Sequence, residues 1–469
     1  MHILIIGAGR IGRSVAENLV NESNDITIVD HDAERVNALE TRLDLRGVTG
    51  NALSPSVLES AGANDADMIL AVTANDETNM AVCLLASQLF NIPTRIARVR
   101  NQELRQYPRL LAEEGFQITS TIWPEQALNE SLLRLIEFPE ALQIIDFAEG
   151  KAVLFCVRAV AGSPLVGRPI GDLAVHLPYV PARIVSVFRR NRRLDISSET
   201  VIESGDEVIA LSSGRDVRRV ISELRQHEER IRRIMIAGNA RLGVQLAGLL
   251  NGPEGRRGYT ITILDEDTAL STSLAAAVPK DTELVTGSLT NEEVLTELCV
   301  DRCDLFISLS VRDENNIMGA LLAKKLGARR VIALTDSDTF SALMQGTQID
   351  ITVSSTQATI GELLRHVRRG DVLAAHSLRR GVAEALEIVA HGNKKSSRVV
   401  GKRIADIDLP EGVEIAALVR DTDDIEEPQV LIAQKDVVVE PEDRVIVFVP
   451  GKRVIAQVEK LFAVDVGFF

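Results

Sequence analysis

Aromatic residues are scarce in this chain, at 3% of 469 residues with one Trp, and Ile, Val, Leu and Ala carry the apolar content instead. That balance suits parallel sheets covered by helices on both faces. Cysteine is nearly as rare. Cys83, Cys156, Cys299 and Cys303 are too few for a disulfide framework, and each lies in or beside an apolar stretch, so all four are expected to be small core residues. Cys299 and Cys303 are spaced like neighbours on a helix, but no His or second Cys pair follows at zinc-ligand spacing, which argues against a metal site. Positive charge is also in deficit. A formal charge of −15 repels phosphate backbones and excludes bulk nucleic-acid binding, so any anionic ligand has to be held locally. No apolar run approaches the roughly 20 residues of a membrane-spanning helix. The opening MHILIIGAGR lacks a basic region, a long apolar core and a small-residue cleavage site, and reads as a strand rather than a signal peptide.

What is present is a duplication. Ile3-Leu4-Ile5-Ile6-Gly7 matches Ile234-Met235-Ile236-Ala237-Gly238, and Ile26–Asp30 matches Ile261–Asp265, with an insertion in the second copy around Pro253 to Tyr259. Thr49-Gly50-Asn51 matches Thr286-Gly287-Ser288, and Val72–Asn79 matches Leu309–Asn316, all in the same order along both halves. Each copy opens with a strand–helix alternation. Buried-strand runs such as Met68–Thr73 and Leu305–Ser310 are followed by helical periods over Ala81–Phe90 and Met318–Leu326. This predicts an α/β fold with two Rossmann-like doubly wound parallel-sheet domains. Amphipathic helices over Glu125–Ile136 and Gln357–Val367 lead out of them. Each is then followed by a small α+β domain, with strands expected at Ala152–Val160, Ala182–Phe188, Val201–Ile202 and Asp206–Leu211, and again at Glu414–Val419, Val437–Glu440 and Asp443–Val449. The expected domain bounds are 1–138, 139–226, 231–370 and 371–469.

The chemistry concentrates at Gly7-Ala8-Gly9-Arg10-Ile11-Gly12, which follows an apolar strand, opens a helix over Arg10–Val20 and is complemented by Asp30 at the end of the next strand. Gly7 permits a tight turn, Gly9 lets backbone amides approach a pyrophosphate, and Gly12 allows close helix–strand packing. The helix start supplies unpaired amides and partial positive charge. Asp30 is expected to accept hydrogen bonds from ribose hydroxyls and to repel the 2′-phosphate of NADP, so NAD or an adenine nucleotide is predicted. Arg10 is a candidate phosphate partner, while Arg13 reads equally as a surface charge. Asn51 and Ala52 are expected to edge the adenine pocket, Thr73 and Ala74 to contact ligand at the sheet's carboxyl edge, and Arg98 to meet a buried partner or a phosphate.

The second copy retains part of this set. Gly238-Asn239-Ala240-Arg241-Leu242-Gly243 keeps the outer glycines but puts Ala240 in the middle position, where its Cβ is expected to meet a pyrophosphate. Asp265 matches Asp30, Ser310 matches Thr73, and Ala333 stands near the place of Arg98. The result is a half-dismantled second site that still admits a nucleotide with fewer phosphate contacts.

Tandem Rossmann units with the segment Thr73…Asp76…Asn79 and its copy Ser310…Asp313…Asn316, each trailed by a small α+β module, resemble the RCK (regulator of potassium conductance) family. The stretches Leu378–Ala385 and Ser397–Gly401 carry the same likeness. The resemblance implies a non-enzymatic regulatory subunit, a homo-oligomer that is expected to be a tetramer, peripheral on the cytoplasmic face of the inner membrane beneath a membrane-embedded potassium translocating subunit. NAD(H), ATP or ADP would change its shape, and Glu125, after Pro124, would lie near the nucleotide phosphates. An NAD-dependent oxidoreductase is the alternative. Against it, there are seven histidines, none in a catalytic arrangement near a strand end, and no domain large enough to present a substrate to the nicotinamide.

Overall fold

The computed structural model describes residues 1–20, 24–112, 114–190, 192–226, 229–252, 258–337, 339–340, 344, 348–367, 372–378, 382–421 and 429–464. Most of the insertion near Pro253 and residues 379–381 of the Leu378–Ala385 stretch lie outside them.

The first half opens with β1 (His2–Ile6), β2 (Asp25–Asp30), β3 (Arg46–Thr49), β4 (Met68–Ala71), β5 (Thr94–Arg98) and β6 (Ser120–Ile122). They form one parallel sheet in the order β3-β2-β1-β4-β5-β6. The winding reverses between β1 and β4, and sheets of this order take ligands at the carboxyl ends of the strands beside such a reversal. β7 (Ala141–Phe147), β8 (Ala152–Arg158), β9 (Ala182–Arg189), β10 (Arg192–Arg193) and β11 (Glu207–Ser213) follow in the order β10-β9-β11-β8-β7, with β11 antiparallel to both β8 and β9.

The second half repeats the plan. β12 (Arg233–Ala237), β13 (Thr260–Asp265), β14 (Thr282–Thr286), β15 (Leu305–Ser308), β16 (Arg330–Leu334) and β17 (Ile351–Val353) form a parallel sheet ordered β14-β13-β12-β15-β16-β17. β18 (Val372–Leu378), β19 (Ala383–Val389), β20 (Glu414–Arg420), β21 (Gln429–Ile432) and β22 (Arg444–Val449) form an antiparallel sheet ordered β18-β19-β22-β20-β21. The fold is α/β, with two Rossmann-like domains and two small antiparallel modules arranged as a duplication.

Two expected strands are isolated bridges instead: Val201 and Ile202 pair with Pro169 and Val166, and Val438 pairs with Arg403. β7, β10, β18, β19 and β21, which are not among the strands expected from the sequence, complete the small sheets. Cys83, Cys156 and Cys303 are buried, whereas Cys299 is exposed. Its φ of 55° puts it in a left-handed turn between two short helices, which corrects the expectation of a core cysteine and ends its helical pairing with Cys303.

The chain divides into two compact units, the first comprising 1–124, 145–226 and 359–469, the second 125–144 and 227–358. The helix Pro124–Glu137 follows the first sheet in sequence, yet its Leu128, Leu132, Leu135 and Ile136 are buried with Ile234, Ile236 and Ile307 of the second sheet. Reciprocally, Ile360, Leu363, Leu364 and Val367 of the helix Ser355–Val367 are buried with Ile3, Ile5 and Val15 of the first. Removing a Leu or Ile side chain of this kind from water contributes about 1.5–3 kcal/mol, so each exchanged helix is held by a substantial apolar contact. No helix among the described residues is long and apolar enough to cross a membrane.

Candidate functional site

In the first unit the chain leaves β1 at Gly7, whose φ of 107° is the left-handed region that glycine adopts without strain. Its N–H donates to Val29 O at 2.8 Å, which ties the turn to β2. Gly9 is the extended N-cap of the helix Arg10–Leu19, and no side chain caps that start. A Cβ built on Gly9 meets nothing within 4 Å, whereas one on Gly12 would overlap the Gly7 carbonyl oxygen. Gly12 is thus required by the fold, while Gly9 keeps space open in front of uncapped amides. Arg10 is exposed at the first helical position, Ile11 is packed into the core, and Arg13 pairs with Glu17 at 3.0 Å on the helix surface.

Asp30, 8% exposed, accepts from Ala8 N at 2.6 Å through one oxygen and from Asp32 N at 3.0 Å through the other. His31 Nδ1 lies 3.1 Å from the second oxygen. An ionised carboxylate has about four acceptor positions, so these contacts orient Asp30 without exhausting it. Beside it, Asn51 is exposed and its Oδ1 accepts from Leu53 N, shaping the turn after β3. Ala52 is buried against Leu4, Ile6, Val29 and Leu58.

After β4, the fully buried Asn79 accepts from Thr73 N at 2.9 Å and Thr73 Oγ1 at 2.7 Å. It donates to Arg98 O at 2.9 Å. It sits in the first turn of the helix Asp76–Phe90. Asp76 accepts from the backbone N–H groups of Arg100 and Asn101, both at 2.8 Å. This segment therefore staples the ends of β4 and β5 together and fixes Thr73 against Gly7. Arg98 reaches back to Thr73 O at 3.2 Å, and Ala74 is exposed at the carboxyl ends of the strands. The structure thus gathers Gly7–Gly12, Asp30, Asn51, Thr73, Ala74 and Arg98 at one sheet edge. Glu125 falls in the other compact unit, half-buried in the first turn of its helix.

The second copy has the same parts in a different register. Gly238 has a φ of 93° and donates to Leu264 O, and Asn316 repeats the staple through Ser310 N, Ser310 O and Leu334 O. The helix begins one residue earlier, at Ala240, with Asn239 as N-cap and its Oδ1 accepting from Leu242 N at 3.1 Å. Ala240 is 0% exposed and donates its N–H to Asp265, so its Cβ is enclosed rather than presented to a ligand. Arg241 is exposed, and Gly243, where a Cβ would lie 3.0 Å from Ile263, is less tightly enclosed than Gly12. Leu334, not Ala333, occupies the place of Arg98, because it is the residue whose carbonyl receives Asn316 as Arg98 receives Asn79. Leu289, in the place of Ala52, is buried, and a Cβ on Gly238 would approach it to 2.8 Å. Neither Asn239 as a cap nor Leu289 as a filler was anticipated, although an Asn just before a helix is a recognisable capping signal.

Among the described residues no cluster of His, Cys, Asp or Glu is arranged to hold a metal. Burial pushes the Cys83 and Cys303 thiols up to about 12, which keeps both protonated and chemically quiet.

The TrkA-N domain family matches residues 3–117 and 234–355, and the TrkA-C domain family matches 154–225 and 394–463. A Trk system potassium uptake protein TrkA from Halomonas elongata is 45% identical over 469 residues, covering 100% of both chains. One of the same name from Vibrio alginolyticus is 42% identical, covering 98% of each. Among solved structures, the GsuK RCK domain superposes with a TM-score of 0.59 at 20% identity, over 98% of this chain and 95% of that one. The GsuK channel bound to NAD gives 0.58 at 18%, over 98% and 79%. These likenesses show the RCK type of fold. With both domain families matched twice in alternation and relatives aligned along its whole length, the chain belongs to the TrkA family of Trk-system potassium uptake proteins.

Proposed function

We propose that this chain is the nucleotide-sensing regulatory subunit of a potassium-uptake system, acting on the cytoplasmic face of the membrane on a translocating subunit of the TrkH/TrkG type. The observation that carries the nucleotide reading is the helix start at Gly9: uncapped, open in front, and flanked by the oriented carboxylate of Asp30. Backbone amides at such a start attract phosphate oxygens, and Asp30 retains acceptor capacity for ribose hydroxyls while repelling a 2′-phosphate. NAD(H) is favoured over NADP on that ground. Arg10 at the first helical position supplies a cation for further phosphates, which favours ATP or ADP as competing ligands. Asn51, Thr73, Ala74 and Arg98 line the same edge, and Glu125 belongs to the site only by resemblance. The relatives' names speak for potassium uptake rather than hydride transfer, and the NAD-bound GsuK channel supports a dinucleotide on this fold.

In this reading a bound nucleotide acts through its differential affinity for two conformations of a homotetramer, and the membrane partner responds to the shift. The test is potassium flux in proteoliposomes that carry the membrane subunit and the full-length chain, with NAD, NADH, ADP and ATP added in turn. Flux that changes with at least one nucleotide supports the proposal. Flux indifferent to all four sinks it.

A further inference from the structure

The two small sheets of the first unit meet at a position where each module faces its own structural equivalent. Arg189 and Arg420 fix the alignment. Arg189 clamps the buried Asp206 through Nε at 2.9 Å and a terminal nitrogen at 2.8 Å, and Arg420 clamps Asp443 with both distances at 2.8 Å. On β9 and β20 the same bulge precedes the clamp: the pairing with β11 slips between Ile209 and Ala210, and the pairing of β20 with β22 slips between Ile415 and Ala417. Arg183 and Glu414 stand at the same distance before their clamped arginines, on the far side of that bulge, and so occupy one equivalent position. They touch each other, Arg183 to Glu414 at 2.8 Å, and Arg183 also donates to Ala433 O at 2.8 Å and Ile415 O at 3.3 Å.

A residue that contacts its own equivalent marks a local two-fold axis. If the modules were identical, the axis would bring Arg against Arg or Glu against Glu. The duplication has placed opposite charges there. The sign is also inverted at the first residue of the strand after each clamped aspartate. Glu207 pairs with Arg158 inside its own module, while Arg444 lies between Glu387 of its own module, at 3.6 Å, and Glu149 of the other, at 3.4 Å.

We infer that Arg183 and Glu414 are a pairing code, which makes the first small module accept the second and reject a copy of itself. The partner chemistry this surface fits is therefore the other half of the same duplicated chain. In an assembly of several identical chains, each offering both modules, first-with-first pairing between chains would set two arginines against each other across the axis. Second-with-second pairing would set two glutamates against each other. Repulsion against the wrong partner gives specificity that attraction alone does not supply. The pair is only half-buried, and an isolated surface ion pair contributes little stability. Its role lies in the difference between partners.

The experiment is a charge-reversal cycle on the full-length chain: Arg183→Glu, Glu414→Arg and both together, followed by thermal unfolding and light-scattering mass. Each single reversal, which adds repulsion to the lost attraction, should lower the unfolding midpoint by about 2 °C, and the loss should shrink as salt rises from about 0.05 M to about 0.5 M, where charges are screened within a few ångströms. The double reversal should recover most of the summed loss and the native mass. Losses that simply add in the double variant overturn the inference, as does a single reversal that leaves midpoint and mass unchanged. Should a reversal fail to accumulate as folded protein, the neutral cycle of Arg183→Met and Glu414→Gln takes its place, and zero coupling between those two changes overturns the code equally.

Discussion

The two glycine turns begin from nearly the same sequence and end with opposite exposure of the helix start. In the first, the helix opens at Arg10 behind an uncapped Gly9, and the aspartate of β2 holds Ala8, outside the helix. In the second, the helix opens one residue earlier, Asn239 caps it, and the aspartate of β13 holds Ala240, the first helical residue. The helix start that no side chain caps in one copy is capped by the protein's own Asn239 in the other. The comparison teaches that a fingerprint can keep its outer glycines and its acidic residue and still lose its open face through one short side chain.

The sharpest way to break this comparison is to close the first turn without disturbing its fold. Gly9→Val places a side chain in the open space before the helix, where its Cβ meets no protein atom within 4 Å. Titration of the full-length chain with NADH, followed by fluorescence, should show affinity reduced by at least ~100-fold, on the scale of several lost charge-assisted hydrogen bonds of about 1.5–3 kcal/mol each. The unfolding midpoint should fall only slightly, since Val is a poorer N-cap than Gly by less than about 1 kcal/mol. Undiminished binding in Gly9→Val would move the nucleotide away from the first turn, and binding that persists at half the original stoichiometry would assign the remainder to the second.

Next in size is a difference between Gly12 and Gly243. A Cβ at Gly12 overlaps the Gly7 carbonyl, which is backbone and cannot step aside, whereas at Gly243 it approaches Ile263 Cγ2 at 3.0 Å, a side-chain atom that can shift. Gly12→Ala should cost on the order of 3 kcal/mol, in the range of overpacked cores, and Gly243→Ala less than about 1 kcal/mol. Equal costs in urea unfolding would contradict the difference in packing.

The two halves should behave alike toward alkali. Cys83 lies in the first unit and Cys303 in the second, and burial raises both from 9.0 to about 12. A buried thiol that resists ionisation binds its proton more tightly in the folded than in the unfolded chain. Its stabilising effect is therefore complete below pH 9 and is lost as pH rises from 9 towards about 12. Cys83→Ala and Cys303→Ala should each flatten the decline of stability in that window. At neutral pH a thiol reagent should modify Cys299 alone among the four in the folded protein, and rapid modification of Cys83 or Cys303 would refute their enclosure.

The repeat, the parallel sheets and the first turn were legible in the sequence because they rest on short-range spacing: glycines within one turn, an acidic residue at a strand end, and short segments such as Val72–Asn79 and Leu309–Asn316 that match in the same order along both halves. What was not legible depends on which neighbour a residue meets. Amphipathic periodicity shows that the helix Pro124–Glu137 has a buried face but not that the face packs on the second sheet. Ala333 stands one residue from the place of Arg98, and the exact position, that of Leu334, follows from strand and helix partners distant in sequence. Cys299 looked like core because its apolar neighbours do not reveal a left-handed turn.

The smallest expected effect tests the cap that separates the two turns. Replacing Asn239 by Ala removes the acceptor for Leu242 N and should cost about 1 kcal/mol, as loss of an N-cap does. The corresponding Gly9→Asn change in the first copy should leave stability nearly unchanged, since Gly and Asn differ by only a few tenths of a kcal/mol as caps. Its consequence should appear in binding instead, because a side-chain oxygen placed over the open amides competes with a phosphate for the same donors. Asn239→Ala changing stability while Gly9→Asn changes nucleotide affinity would separate a cap that serves the fold from a gap that serves a ligand. If Gly9→Asn left NADH affinity untouched, the open start at Gly9 would not be where phosphate is held, and the contrast between the two turns would be one of folding alone.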